Sequence, residues 1–296
     1  MKNSVSRILS GIRFFIYTNI FIALCVTAYT IKTSILLFGN YGNLHACILV
    51  FCATLLFYCF HRINKKRFIA EDENEIGANI WMNTNKKIYY IIIALSFIVG
   101  TLQLIYLPIR TWLILIPVGL LGLGYTFPVI PTKKGLKRLR DIYWLKPFWI
   151  ALAFSILTTF LPVLCIEPLD SLYKPSVLFI LARSMLFLFA LCIPFDIRDM
   201  HFDQLKKVNT LPVLTGAKTS VQISIILILF FISLVCIQFL YFNFDFKSAL
   251  ALFTSALLTI GFLLLAIPKR PALFYPLVFD GSMLLQCLLI IAFTHL

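Results

Sequence analysis

Residues 194–216 read Pro-Phe-Asp-Ile-Arg-Asp-Met-His-Phe-Asp-Gln-Leu-Lys-Lys-Val-Asn-Thr-Leu-Pro-Val-Leu-Thr-Gly. The stretch closes a long apolar segment and carries Asp196, Asp199 and Asp203, in a chain with only 12 acidic residues among 296. Their i, i+3, i+7 spacing predicts three carboxylates stacked on one helix face. Carboxylates held that close repel one another unless a cation joins them. A hard divalent ion such as Mg²⁺, with phosphate oxygens completing its shell, meets that need. At the edge of an apolar span the pattern therefore predicts a metal–diphosphate site.

The surrounding composition fixes the solvent. The chain is 61% hydrophobic and 13% charged, with mean hydropathy +0.96. A water-soluble domain of this length does not have that balance, so the chain reads as a polytopic membrane protein. Its net charge of +14 does not point to nucleic acid. The basic residues fall in alternating loops between apolar runs, which is how the cytoplasmic face of a membrane protein is marked. The eight cysteines form no CxxC pair, and most lie inside apolar runs, where they read as small buried thiols. Walker-type loops, GxGxxG, HExxH and nucleophile-elbow motifs are absent, which leaves hydrolase and nucleotide-binding classes without support.

Nine spans are expected, at about 12–31, 44–63, 88–107, 111–130, 146–166, 176–196, 219–242, 248–267 and 273–294. Their length suits helices, and none alternates as a strand would, so the fold class is an all-α integral membrane protein. The first run has no small-residue cleavage site after it and reads as a retained helix. Twenty-one of the 26 Lys and Arg residues lie in one set of intervening segments and four, including Lys32, in the opposite set. By the positive-inside rule the N-terminus is cytoplasmic and the C-terminus outside, in a bacterial cytoplasmic membrane. The cytoplasmic loops are about 64–87, 131–145 and 197–218. Two ionisable residues fall within spans, Arg183 and Asp280. Pairing with each other, other internal polar contacts, and an acceptor headgroup on Asp280 are all open to them.

The tail of the opening stretch adds a family resemblance. Asp196-x-x-Asp199-x-x-x-Asp203 followed by Lys207-x-x-Thr210-Leu211-Pro212-Val213-Leu214-x-Gly216 resembles the second aspartate motif of the UbiA superfamily of intramembrane prenyltransferases. Gly124-Tyr125-Thr126-Phe127-Pro128 resembles that family's Y-S-x-P at the end of helix 4. The run Leu139–Lys146 resembles its basic loop into helix 5. The match is good over about 110–220 and elsewhere rests on helix count and orientation. The resemblance implies one UbiA-like domain over 1–296. It implies a polyprenyl diphosphate bound at the cytoplasmic mouth, Mg²⁺ between the diphosphate and two aspartate motifs, and a tail in an apolar tunnel. It further implies ionisation to an allylic cation captured by a lipophilic, often aromatic, acceptor. No protein partner is inferable.

The first aspartate motif of the family is missing. After the second span this chain has Tyr58-Cys59-Phe60-His61-Arg62-Ile63-Asn64-Lys65, with Tyr58 and His61 where carboxylates are expected. The acidic run Glu71–Glu75 is out of register. On the resemblance, Asp196, Asp199 and Asp203 are the catalytic and metal-holding residues, and Arg62, with Lys65, Lys146 and Lys207, meets the diphosphate. Tyr58, His61 and Asn64 complete the expected substrate-binding set. Arg198 and His201 fall off the aspartate face and read as surface or headgroup residues. Three outcomes stay open: His61 and Asn64 replace the lost ligands; Arg62, Lys65 and Lys66 neutralise the diphosphate directly; or transfer is lost and the scaffold binds an isoprenoid or other lipid. A small transporter is a further alternative, for which only Asp280 and Arg183 speak.

Overall fold

The computed structural model describes residues 2–65, 80–132, 135–139, 142, 145–205, 207–268, 270, 271 and 273–295, without the side chains of 2–9, 64, 65, 132 and 295. In chain order the helices are α1 (Lys2–Tyr17), α2 (Ile20–Phe38), α3 (Leu44–Lys65), α4 (Lys86–Gln103), α5 (Trp112–Thr126), α6 (Lys146–Ile166) and α7 (Pro175–Arg198). They continue as α8 (Met200–Leu205), α9 (Leu211–Thr215), α10 (Ala217–Tyr241), α11 (Phe246–Leu264) and α12 (Gly281–His295), the last preceded by a π-helical turn at Pro276–Asp280. Nine helices among the described residues are long and apolar enough to cross a membrane. The expected all-α integral membrane architecture is therefore present. A short antiparallel ribbon, β1 (Ile130–Thr132) with β2 (Gly135–Lys137), interrupts the 131–145 loop.

The helix ends follow local chemistry. Proline opens α6 at Pro147, α7 at Pro175 and α9 at Pro212, where its missing N–H costs nothing and its fixed φ suits the first turn. Gly39 closes α2 at φ 65°, its N–H bonded to the Ile35 carbonyl.

The first span begins later than the hydropathy reading placed it. The apolar run from residue 12 is cut at Thr18-Asn19. The Thr18 hydroxyl donates to the Phe14 carbonyl at 2.7 Å, and Asn19 takes a left-handed conformation at φ 62°. Asparagine tolerates that region better than apolar residues do. The chain turns there, leaving α1 as a separate helix against the helical turn at 80–84, with Phe14 and Tyr17 on Trp81.

Helix α2 is the most buried of the spanning helices, whereas α4 and α5 present most of their side chains outward. A closed ring runs α2, α12, α11, α10, α7, α6 and back to α2; α3 joins α2, with α4 outside it and α5 outside α6. Tyr29 stacks on Phe187 at 6.0 Å, and Phe187 meets the tilted ring of Phe231 at 5.4 Å, all three buried in the core of the bundle.

Lys32, expected in an outer loop, lies inside α2 and is 3% exposed, because that helix runs on to Phe38. Its ammonium sits 3.4 Å over the Tyr29 ring and donates to Gln286 at 3.3 Å; Gln286 in turn donates to Ser255 at 3.0 Å. Arg183, 2% exposed, lies against the Phe244 ring at 4.9 Å. It forms no ion pair with Asp280, so these two intramembrane charges have separate surroundings. The eight cysteines are free, five of them buried, as read from the sequence.

Small residues let α3 and α4 approach closely, the usual means of helix packing within lipid. A Cβ at Gly100 would stand 3.1 Å from the Cys52 Cβ, whereas one at Gly119 on α5 would meet nothing within 4 Å. Gly100→Leu should lower stability by about 1–3 kcal/mol through overpacking. Gly119→Ala should not destabilise the protein. Thermal melts in detergent of the two variants beside wild type check this, and equal melting temperatures would show that the close approach carries no energetic weight.

Candidate functional site

A cavity of about 270 Å³ opens at the end of the bundle where α2 and α6 begin and α3 and α7 end. Those four helices and the π turn supply most of its wall, with Ile16 and Tyr17 of α1, Tyr125 of α5 and Met283 of α12 completing it. Its rim is charged, and its deeper wall is built of residues such as Val26, Ala151, Phe154 and Leu188.

The rim is organised by Lys146 and Asp196. Lys146 is the first residue of α6, and Asp196 sits in the last turn of α7, its side chain 3% exposed. Nζ lies 2.6 Å from Oδ1. The remaining Asp196 oxygen, Oδ2, is buried with no donor among the described residues. Asp199, one residue past α7, receives two bonds from Arg198, Nε to Oδ1 at 2.6 Å and Nη2 to Oδ2 at 3.0 Å. The Arg198 guanidinium also packs on the rings of Phe195 and Tyr275. Both Asp199 and Arg198 line the cavity.

The three aspartates are not one stacked face. Helix α7 ends at Arg198, and Asp203 belongs to the next short helix, α8. Asp203 stands behind the cavity wall, its Oδ2 also buried and without a donor among the described residues. Burial pushes its carboxyl up to about 6 from the ordinary 3.8; Lys146 pulls against that rise, and Asp196 and Asp199 add to it.

Helix α3 supplies the opposite wall. Tyr58, His61 and Arg62 all line the cavity. Tyr58 stacks on Phe154 at 6.3 Å, and the His61 ring lies parallel to Phe57 at 6.2 Å. Arg62 also spends donor capacity on structure, bonding the Tyr17 carbonyl at 3.3 Å and the Tyr89 hydroxyl at 3.4 Å. The Tyr89 hydroxyl donates to that same carbonyl.

Other expected residues are placed differently. Lys207 is exposed in a turn at φ 55° and does not line the cavity, because the chain reverses there between α8 and α9. The side chains of Asn64 and Lys65, and the whole of Lys66 and of the acidic run 71–75, lie outside the described residues. Arg198, read as a surface residue, is a cavity residue because α7 delivers it beside Asp199. Sequence reasoning missed Asn19 and Tyr125 as wall residues, and Asp280, for which an acceptor headgroup was one of the open readings, lines the wall as well. The signals were there: an asparagine in an apolar run, a tyrosine within the Gly124–Pro128 stretch, and a carboxylate inside a span.

No group of three or more His, Cys, Asp or Glu side chains among the described residues closes around a cation. A fully protein-built metal cage is therefore absent from them. The donor chemistry fits a looser arrangement. Mg²⁺ commonly takes only one or two carboxylates and leaves the rest of its shell to water and phosphate. The unbonded oxygens of Asp196 and Asp203 are the acceptors such an ion needs.

Lys146→Met would leave Asp196 buried without its counter-charge and should cost about 3 kcal/mol of stability. Adding Asp196→Leu should recover most of that loss; a double variant no better than the single one in urea unfolding would contradict it. Asp203 supplies a pH test in metal-free detergent. Its native pKa lies above its unfolded value, so its contribution to stability is complete below about pH 4 and is lost as the pH rises through about 6. Asp203→Asn should thus raise the melting temperature at neutral pH and leave it unchanged in acid. An equal shift at both pH values would count against it.

Solved structures with the same architecture put this site in context. The chain matches a digeranylgeranylglyceryl phosphate synthase at TM-score 0.58 and 16% identity, covering 96% of this chain and 99% of that one. It matches the apo UbiA homolog from Aeropyrum pernix K1 at TM-score 0.62 and 13% identity, covering 89% and 96%. It matches a UbiA homolog from Archaeoglobus fulgidus, solved bound to GPP and Mg²⁺, at TM-score 0.61 and 13% identity, covering 96% and 100%. No protein-family model matches the sequence, and no curated protein matches it. At these identities the likeness speaks to architecture, and the chain has the fold of the UbiA superfamily of integral membrane proteins.

Proposed function

We propose that the chain is a single-domain UbiA-type prenyltransferase, moving a polyprenyl group from its diphosphate to a lipophilic acceptor within the membrane. The observation that carries this reading is the polarity of one cavity: Lys146, Arg62 and Arg198 with Asp196 and Asp199 at the rim, and apolar and aromatic walls below. That division matches the two halves of a polyprenyl diphosphate. The reading is also supported by the Archaeoglobus fulgidus homolog, bound to GPP and Mg²⁺. The clustering of basic residues in the loops beside the cavity mouth supports a cytoplasmic opening under the positive-inside rule.

On this reading Lys146 and Arg62 hold the diphosphate and stabilise the charge that grows on it as the C1–O bond breaks. Asp196 keeps the Lys146 ammonium in position. Mg²⁺, held by Asp196 and Asp203 with Asp199 beside them, would supply further charge neutralisation to the leaving diphosphate. Tyr58 and His61 stand where the family has carboxylates, so more of the neutralisation falls to the side-chain cations than in a two-motif site. The apolar wall keeps water from the allylic cation, and the faces of Phe57, Tyr58 and Phe154 offer it quadrupolar stabilisation. A second, wholly apolar cleft is lined by Leu49, Ala53, Trp112 and Leu157. Leu157 lies about one helical turn beyond Phe154 on α6, so the two clefts lie along the same helix, one offering the diphosphate end and the other apolar surface for the tail.

One observation favours a second reading, binding without turnover. Asp196 and Asp199 are already paired with basic residues, and half of the family's carboxylate set is absent. A single assay separates the two. Membranes containing the protein are given labelled geranylgeranyl or farnesyl diphosphate, with and without Mg²⁺, across a panel of lipophilic acceptors. Prenyl transfer is expected, and Asp196→Asn should weaken diphosphate binding about tenfold or more by removing the carboxylate that positions Lys146. Unchanged binding and turnover in that variant would sink the site assignment. Tight binding by wild type with no transfer to any acceptor would establish the binding-only reading.

A further inference from the structure

Asp280 is a carboxylate in the cavity wall that the diphosphate site does not use. It ends the π-helical turn Pro276–Asp280, an irregularity that re-aims side chains and recurs at functional sites. No described side chain donates a hydrogen bond to it or forms an ion pair with it. Arg198 is the basic group whose charge reaches it, and that guanidinium is held by both oxygens of Asp199. An uncompensated carboxylate within the apolar zone is costly and marks a ligand or a pathway.

Its level in the cavity is informative. Tyr58 precedes Arg62 by four residues on α3, and Cys192 precedes Asp196 by four on α7, so both lie about one helical turn, roughly 5.4 Å, below the charged rim. Asp280 lines the same cavity as both. Tyr58 and Asp280 thus make a polar pair just beneath the rim, above the purely apolar wall of Val26, Ala151 and Leu188. With a diphosphate at the rim, C1 of the prenyl chain comes to this level. The nucleophilic atom of the acceptor must come to it too.

From this geometry, and resting on the prenyl-transfer reading above, we infer that Asp280 binds the acceptor through an O–H or N–H group, with Tyr58 opposite. The carboxyl oxygens at this depth accept from hydrogen-bond donors, and the apolar wall around them disfavours carboxylate or phosphate headgroups, so the acceptor is a lipophile whose reacting end is a neutral donor. In the transfer step a bond forms between the acceptor oxygen or nitrogen and C1. The C1–O bond to diphosphate breaks, and its electron pair leaves with the diphosphate. The acceptor's proton passes to an Asp280 oxygen.

The test uses the full chain in detergent, saturated with unreactive geranylgeranyl thiodiphosphate, and three fluorescent probes: 2-naphthol, 2-methoxynaphthalene and 2-naphthoate. Wild type should bind 2-naphthol severalfold more tightly than either other probe, since only the naphthol offers a neutral donor to a carboxyl oxygen of Asp280. Asp280→Leu should abolish that preference and leave thiodiphosphate affinity within about twofold of wild type. If the Leu variant does not bind the thiodiphosphate, Asp280→Asn, which keeps the size and one acceptor oxygen, decides the matter. It should lose about threefold or more of the naphthol preference. A preference unchanged in the deciding variant, or a wild type that favours 2-naphthoate, overturns the Asp280 assignment alone. A wild type that does not bind the thiodiphosphate overturns the prenyl-transfer reading and this inference with it.

Discussion

A buried carboxylate that meets an ammonium at 2.6 Å governs this molecule's working end. Asp196 is the last-turn residue of one spanning helix and Lys146 the first residue of another, fifty positions earlier. Neither charge is tolerable alone at that depth, because desolvating a carboxylate or an ammonium costs several kcal/mol. Together they lock the ends of α6 and α7 against each other. The cavity exists where it does because those two ends are held side by side while α3 and the π turn close the remaining sides.

The pair explains how an acid-poor chain can keep a charged site without a closed metal cage. Asp196 commits one oxygen to Lys146 and leaves the other without a donor among the described residues. Asp199 is committed to Arg198. Positive and negative charge are therefore nearly balanced at the rim before any ligand arrives, with one spare oxygen on Asp196 in the wall and a second, on Asp203, behind it. An incoming dianionic group and a cation would enter such a rim together more readily than either would alone.

Much of this was legible in the chain because lipid imposes strict rules. Runs of about twenty apolar residues disclose the spanning helices, nine of which the described residues contain. The tail Thr210-Leu211-Pro212-Val213-Leu214 pointed to the fold that the solved relatives share. What was not legible depends on contacts distant in sequence or on small interruptions. Two polar residues, Thr18 and Asn19, separate α1 from α2, too short a break for a hydropathy window. Lys32 looked like a loop residue because its partners Gln286 and Ser255 are supplied by the far end of the chain. The spacing of the aspartates implied one helix face, but the helix stops at Arg198. That stop turns Arg198 into the cavity and sets Asp203 behind it.

Arg62 contributes to the cavity rim while bonding the Tyr17 carbonyl at the end of α1 and the Tyr89 hydroxyl on α4. One side chain thus belongs to the binding surface and to the clasp that keeps the N-terminal helix seated on the bundle. Loss of α1 from its seat would break the bond to Tyr17 while leaving the Arg62 guanidinium, carried by α3 and still bonded to Tyr89, at the mouth, so the charge of the rim does not depend on the helix that the same side chain holds down.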